Sequence, residues 1–176
     1  MDAVGITQEG LHSIKTKQIE TILLKMDLIK AYDKINRGFL HLVLLQFGIE
    51  YEIVSWIMAC VCNVHFSILI NRSPTGFCKG HRGLRQGCPL SPLLFLLVID
   101  GLSRLIGEAK LSGSLQGVTV SNTQVLTHIF FVDDVLLFSG NGRHDWACYY
   151  EIINIFCSAY GMEISCFKLC FIAPGG

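Results

Sequence analysis

The sequence predicts an α+β fold, an antiparallel sheet with helices packed on one face, and three observations carry that expectation. Stretches of strand length and of helical spacing follow one another in the order β-α-α-β-β-α-β-β-α-β, which implies a layer of helices on a mostly antiparallel sheet. Half of the 176 residues are hydrophobic (51%) and only 16% are charged, enough apolar surface for one domain with a real core. Two adjacent carboxylates, Asp133 and Asp134, interrupt an apolar, β-favouring run and read as the tip of a tight hairpin.

Taken in order, Ile22 to Asp27 reads as a buried strand ending on a carboxylate. Asn36 can cap a helix running to about Phe47, with Gly48 placed to end it. A second helix is expected from about Tyr51 to Cys62, where Ile53, Trp56, Ile57, Cys60 and Val61 recur at helical spacing. Val64 to Asn71 has a strand pattern, Arg72 to Gly76 a turn, and Phe77 to Lys79 the returning partner. A basic, glycine-rich loop follows from Lys79 to Pro92. It leads into a helix with Ser91 as N-cap and Pro92 at the first helical position, reaching about Ala109. A short strand at Val118–Val120 precedes the acidic hairpin, about Val125 to Ser139. An amphipathic helix over about Asp145–Ala159 turns Tyr149, Ile152, Ile153 and Phe156 inward and ends at Gly161. Ile164 to Ile172 closes the sheet as one or two strands around Lys168. No linker or repeat divides the chain, so residues 1–176 are expected to form a single domain.

Composition excludes several functions. Formal net charge is zero, which leaves no overall electrostatic footprint for nucleic acid; such a role would need a local basic patch or a missing neighbouring domain. Eight cysteines include no CxxC pair and lie mostly in apolar runs. They read as small buried hydrophobes of a reduced compartment. The first residues lack the apolar core of a signal peptide, and the run Leu93–Ile99 is too short to span a bilayer. The expectation is an intracellular protein, nuclear or cytoplasmic, without a membrane partner.

The chemistry resides in three carboxylates and one loop. Asp27, Asp133 and Asp134 stand at strand ends and would converge if their strands are neighbours. Oxygen donors of this kind suit Mg²⁺ or Mn²⁺. The loop supplies Arg82, Arg85 and Gln86 among glycines that let backbone approach a phosphate. Together they suit phosphoryl transfer; each half alone is also a common surface feature.

Three motifs occur in order: Met26-Asp27-Leu28-Ile29-Lys30-Ala31-Tyr32-Asp33, then Arg82-Gly83-Leu84-Arg85-Gln86-Gly87-Cys88-Pro89-Leu90-Ser91-Pro92, then Phe131-Val132-Asp133-Asp134. Over about residues 8–172 the chain resembles the palm of reverse transcriptases from non-LTR retrotransposons, particularly the long interspersed elements of plants. The stretch Asn71–Gly76 also resembles a hairpin of that family.

The resemblance implies a polymerase palm and RNA-directed DNA synthesis with two Mg²⁺ (or Mn²⁺) ions. Asp27 and Asp133 would be the principal metal ligands, assisted by Asp134. Tyr32 would lie under the sugar of the incoming nucleotide. Arg82, Arg85, Gln86 and Gly87 would contact nucleotide and template. Lys168 would assist the leaving pyrophosphate. Implied partners are an RNA template, a DNA primer and a deoxynucleoside triphosphate. Cys88 stands where the family usually has Asp, and Val132 where it usually has Ala. The family's fingers and thumb are largely missing here, so the chain is expected to be an incomplete fragment, inactive alone or dependent on those regions or on an unknown protein partner. The alternative is a non-enzymatic remnant or adapted module that binds RNA or protein. A nucleotide cyclase palm is disfavoured by the Arg85–Pro92 stretch.

Overall fold

The computed structural model describes residues 12, 14, 16, 17, 19, 21–121, 124–131, 134–140 and 142–172, with residue 131 and the final strand described as backbone. The chain divides into two compact units. The first comprises Met1–Ile29, Leu102–Cys157 and Glu163–Gly176, the second Lys30–Gly101 and Ser158–Met162.

The first unit is built on a four-stranded antiparallel sheet of β1 (Thr21–Ile29), β8 (His128–Phe131), β9 (Asp134–Ser139) and β10 (Glu163–Ile172), in the order β10-β1-β9-β8. Period-two alternation explains why β1 takes the centre. Leu24, Met26 and Leu28 are buried, whereas Lys25 and Asp27 point the other way, where Asp27 is exposed. The Leu24 face is apolar and covered, whereas the opposite face carries Lys25 and Asp27 at one end and, beside Leu23, the buried Phe138 at the other. β1 runs past Asp27 to Ile29 instead of ending on it. Its pairing with β10 shifts register between Asp27 and Leu28, so that Asp27 faces Cys166 while Leu28 faces Ile164. A bulge of this kind re-aims a side chain and is common beside active sites. The closing segment is one ten-residue strand. A separate hairpin pairs β6 (Val118–Ser121) with β7 (Gln124–Leu126).

Ile14, Val118, Ile129 and Phe138 form a core cluster, with Leu23, Val120, Leu126 and Leu136 packed against it. The helix Arg143–Tyr160 buries the expected Tyr149, Ile152, Ile153 and Phe156, and ends before Gly161 in a left-handed conformation. The Tyr149 hydroxyl donates to the carbonyls of Thr127 (2.7 Å) and Phe138 (2.9 Å), tying that helix to two strands. Asp145, fully buried, accepts from the Ser139 hydroxyl and the Gln116 amide.

The second unit is mostly helical. Lys30 is left-handed (φ 48°) and turns the chain from β1 into α1 (Ala31–Lys34). The Asn36 carboxamide accepts from the amides of Gly38 and Phe39 and so caps α2 (Arg37–Gln46), while Gly48 (φ 77°) ends that region. α3 spans Tyr51–Cys62 as the sequence predicts, but its buried positions are Val54 and Val61. Of the residues that recur at helical spacing, Ile53, Trp56 and Cys60 are exposed, because such spacing fixes a shared face and not which neighbour covers it.

The segment expected as one hairpin is two short pairings, β2 (His65–Phe66) with β5 (Cys78–Lys79) and β3 (Leu69–Ile70) with β4 (Ser73–Pro74). It reverses at Asn71 and Arg72, both at positive φ, instead of over 72–76. Ser67 and Thr75 interrupt the ladder, the Ser67 hydroxyl donating to the Thr75 carbonyl. α4 (Leu90–Leu111) is a described helix long and apolar enough to cross a membrane, at a mean hydropathy of 1.7, whereas the run within it had read as too short. Val98, Leu102 and Ile106 are fully buried within the protein, while Leu93, Leu96 and Leu111 of the same helix are exposed. The last helix is α5 (Arg143–Tyr160).

The burial expected of the cysteines fails, although all six described ones are free. Among the described side chains Cys60 and Cys78 are exposed and Cys62, Cys88, Cys148 and Cys157 are half-buried. An apolar run supplies a face to solvent as well as to the core.

Candidate active site

The acidic part of the site forms in the first unit. Antiparallel pairing of β1 with β9 puts Asp27 directly opposite Asp134, and β8 pairs with β9 so that Phe131 faces Asp134. Residues directly opposite have Cβ atoms about 4.5–5.5 Å apart and share a sheet face. Asp133 lies outside the described residues. Lys168 is described as backbone and stands opposite Lys25 in the register.

Two like charges directly across a ladder destabilise it unless something compensates. Here Lys25 does so, with Nζ 2.5 Å from Asp134 Oδ2 and side chains 44% and 32% exposed. No sequence reading singled out Lys25, although its place two residues before Asp27 puts both on one face of a strand. Among the described residues Asp27 makes no ion pair.

The donor set fits a divalent cation. Two ionised carboxylates offer only oxygen acceptors, and one or two of them suffice for Mg²⁺ when waters and phosphate oxygens complete its shell. Among the described residues no cluster of three or more His, Cys, Asp or Glu forms a complete all-protein cage.

The basic loop belongs to the second unit and is held from several directions. The amide of Gly83 donates to the Ile35 carbonyl (2.9 Å), and the amide of Leu84 to the Tyr32 carbonyl (2.7 Å). Gly83 has φ 77°, and a Cβ there would stand 2.5 Å from the Asp33 carbonyl oxygen, so only glycine permits this approach. The Arg37 guanidinium spreads over the carbonyls of Gly80, Arg82 and Gly83. Gln86 donates from Nε2 to Asp33 Oδ1 (3.1 Å). The Tyr32 ring stacks on Phe95 with centroids 4.7 Å apart. Tyr32, Gln86 and Gly87 thus belong to one unit, with Arg82, Arg85, Gln86 and Gly87 exposed along the loop. Asp33, which could have capped a helix, instead anchors Gln86. Arg37 as the clamp went unread, since more than forty residues separate it from the carbonyls it binds.

Ser91 is not the helix cap. α4 begins one residue earlier, and the Ser91 hydroxyl donates to the Arg85 carbonyl (2.7 Å). The Cys88 thiol receives the backbone N–H of Leu90, which lowers its pKa, with Ser91 and Arg85 acting in the same direction. A thiol whose pKa lies below its ordinary value therefore occupies the loop position where the family usually has Asp.

The neutral total charge hides a division. The second unit has seven Lys and Arg against four Asp and Glu, a net of +3, and the first has seven against ten, a net of −3. The basic surplus that the whole-chain charge concealed lies with the glycine-rich loop.

Comparison with known proteins gives a consistent family. The reverse transcriptase (RNA-dependent DNA polymerase) family matches residues 2–174. An uncharacterized mitochondrial protein of Arabidopsis thaliana is 44% identical over 75 residues, which are 42% of this chain and 62% of that protein. The retrovirus-related Pol polyprotein from the type-1 retrotransposable element R2 of Popillia japonica is 26% identical over 129 residues, 72% of this chain and 20% of that protein. Among solved structures, telomerase from Candida albicans in complex with a TWJ fragment of telomeric RNA superposes with a TM-score of 0.69. It is 15% identical and covers 97% of this chain and 29% of that one. This likeness shows the shared α+β fold. The chain spans less than two thirds of the length of each of these relatives.

Proposed function

We propose, from the premise that this chain belongs to the reverse transcriptase family, that it carries the catalytic palm for RNA-templated DNA synthesis, its two units acting as one domain over residues 1–176. The observation that carries this reading is the register that sets Asp27 against Asp134, on a solvent-facing side of an antiparallel sheet.

In this reading Asp27 and Asp134, with Asp133, would hold Mg²⁺ or Mn²⁺, in keeping with the divalent metal that the family uses in general. Bound there, the metal would supply charge stabilisation to the attacking and leaving oxygens of an in-line phosphoryl displacement. The carboxylates, opposed on paired strands, keep their mutual spacing without loop ordering. Tyr32, immobilised by Phe95, offers a flat wall for the nucleotide sugar. Arg82 and Arg85 are exposed on a backbone already clamped by Arg37. Their guanidiniums can pair with the phosphates of template or incoming deoxynucleoside triphosphate at little ordering cost. Gln86, fixed by Asp33, contacts the template-paired nucleotide, and Gly87 admits it closely. Lys168 would assist pyrophosphate departure. An RNA template, a DNA primer and a deoxynucleoside triphosphate are the partners proposed. The site serves in the nucleus or the cytoplasm.

Primer extension on a primed RNA template with Mg²⁺ or Mn²⁺ tests this. Extension by the chain, abolished in Asp27→Asn, would establish a working palm and overturn the expectation of a fragment inactive alone. Extension indifferent to that substitution, or none from a folded chain, overturns the polymerase reading. The second outcome favours an RNA- or protein-binding module, to which the exposed apolar side chains of the second unit also point.

A further inference from the structure

Lys25 occupies a position that the sheet alternation leaves to solvent, between the buried Leu24 and Met26. It lies two residues before Asp27 on the same face, and one diagonal step across the ladder from Asp134. A diagonal of about 7–8 Å is within reach of a long side chain, and the ammonium closes it, with Nζ 2.5 Å from Asp134 Oδ2. The acidic pair is thereby asymmetric. One carboxylate is compensated from within the protein, while Asp27 makes no ion pair among the described residues.

We propose that Lys25 is an internal counter-cation of the acidic pair, holding Asp134 until a divalent ion displaces it. The inference rests on the reading of Asp27 and Asp134 as metal-holding groups. A cation bound between the two carboxylates must compete with Lys25 for the charge of Asp134, so metal loading weakens the hold of one cation as it gains another. Three features suit Lys25 to that task. It has a long, rotatable stem, and its side chain is 44% exposed, so the ammonium can leave for water without moving the backbone. It anchors on a central strand paired on both sides, so it returns to the same place when the metal leaves. It also spares the metal-free sheet two uncompensated carboxylates on directly opposed positions. The consequence is a metal affinity set below what the two carboxylates alone would give.

The test uses the full chain with Mn²⁺ as the probe, following free Mn²⁺ by electron paramagnetic resonance and thermal unfolding with and without the ion. Lys25→Met is expected to bind Mn²⁺ about two- to fivefold more tightly than the unaltered chain, the range a part-exposed ion pair is worth. It should melt at a lower temperature without metal, and the difference should close as Mn²⁺ saturates. Lys25→Arg, which keeps the charge, should behave like the unaltered chain, and Lys25→Gln serves if the methionine variant does not fold. Equal or weaker binding in the neutral variants, with Asp27→Asn abolishing binding in all, overturns the role of Lys25 and leaves the metal reading standing. Absence of saturable binding in the unaltered and Lys25→Met chains alike, both folded, overturns the metal reading and this inference with it.

Discussion

The two units of this chain solve the same packing problem to different degrees. Among its described residues the sheet-bearing unit buries sixteen apolar side chains and exposes three large ones, Leu111, Tyr150 and Ile155. The helical unit buries fourteen and exposes twelve, among them Trp56, Leu69 and Phe77, the last 80% exposed. Their charges are opposite as well, −3 against +3. A four-stranded sheet with a helix packed on it covers its own apolar side chains, whereas short hairpins and a helix with two buried positions leave apolar surface for something else to cover. Whole-chain averages erase this contrast, for hydrophobicity as for charge.

The sharpest way to break the comparison is to cut one large apolar group from each unit. Phe138→Ala removes a ring at the centre of the sheet unit's core and is expected to cost about 3–5 kcal/mol by urea unfolding. Phe77→Ser in the helical unit should stay within about 0.5 kcal/mol and reduce self-association in light scattering. Comparable losses at both sites would show that the exposed surface is covered in solution.

A second effect belongs to the sheet unit alone. Burial lowers the pKa of His128 from 6.5 to about 4, aided by the charge of Lys110, while Ser103 and Thr127 flank its ring nitrogens. The unfolded chain therefore takes up this proton more readily than the folded one. Stability is full above pH 6.5 and declines as pH falls toward 4. About 2–3 kcal/mol should be lost across that window, and His128→Asn should flatten the urea midpoint against pH. An unchanged slope in that variant would remove His128 as its cause.

The next effects belong to the loop. Gly83→Ala forces a Cβ against the Asp33 carbonyl at a positive φ and should cost about 2 kcal/mol in thermal unfolding. Gln86→Ala removes one exposed hydrogen bond to Asp33. It should cost about 0.5–1 kcal/mol while weakening nucleotide binding more than it lowers stability. Equal effects on both would make Gln86 a structural strut only.

These contrasts also mark what the sequence could disclose. Features written in local chemistry were legible: Asn36 as a cap, Gly48 and Gly161 as stops, the inward face of the final helix, and Asp27 on a strand. Each depends on a few neighbouring residues. Partners distant in sequence were not legible, because no spacing rule connects Arg37 to Gly80 or Asp33 to Gln86. The exposed side of α3 was not legible for the same reason: periodicity tells which residues travel together, and only tertiary neighbours decide where they go. Lys25 was an intermediate case. Its face was readable from alternation, and its partner was not, since that needed the register of a strand far along the chain.

That register also has a temporal consequence. β1 is one of the two inner strands and the first of the sheet to leave a ribosome, yet it has no partner until β9 is made. Its other edge stays open until β10 emerges, since Thr21 lies opposite Ile172. Folding of the sheet must therefore wait for nearly the whole described chain, closing its widest loop last. Contacts so far apart in sequence make for slow folding, and an apolar strand waiting unpaired is vulnerable to capture by other chains. The same pairing that fixes Asp27 opposite Asp134 in the finished protein makes its nascent chain a natural client of chaperones.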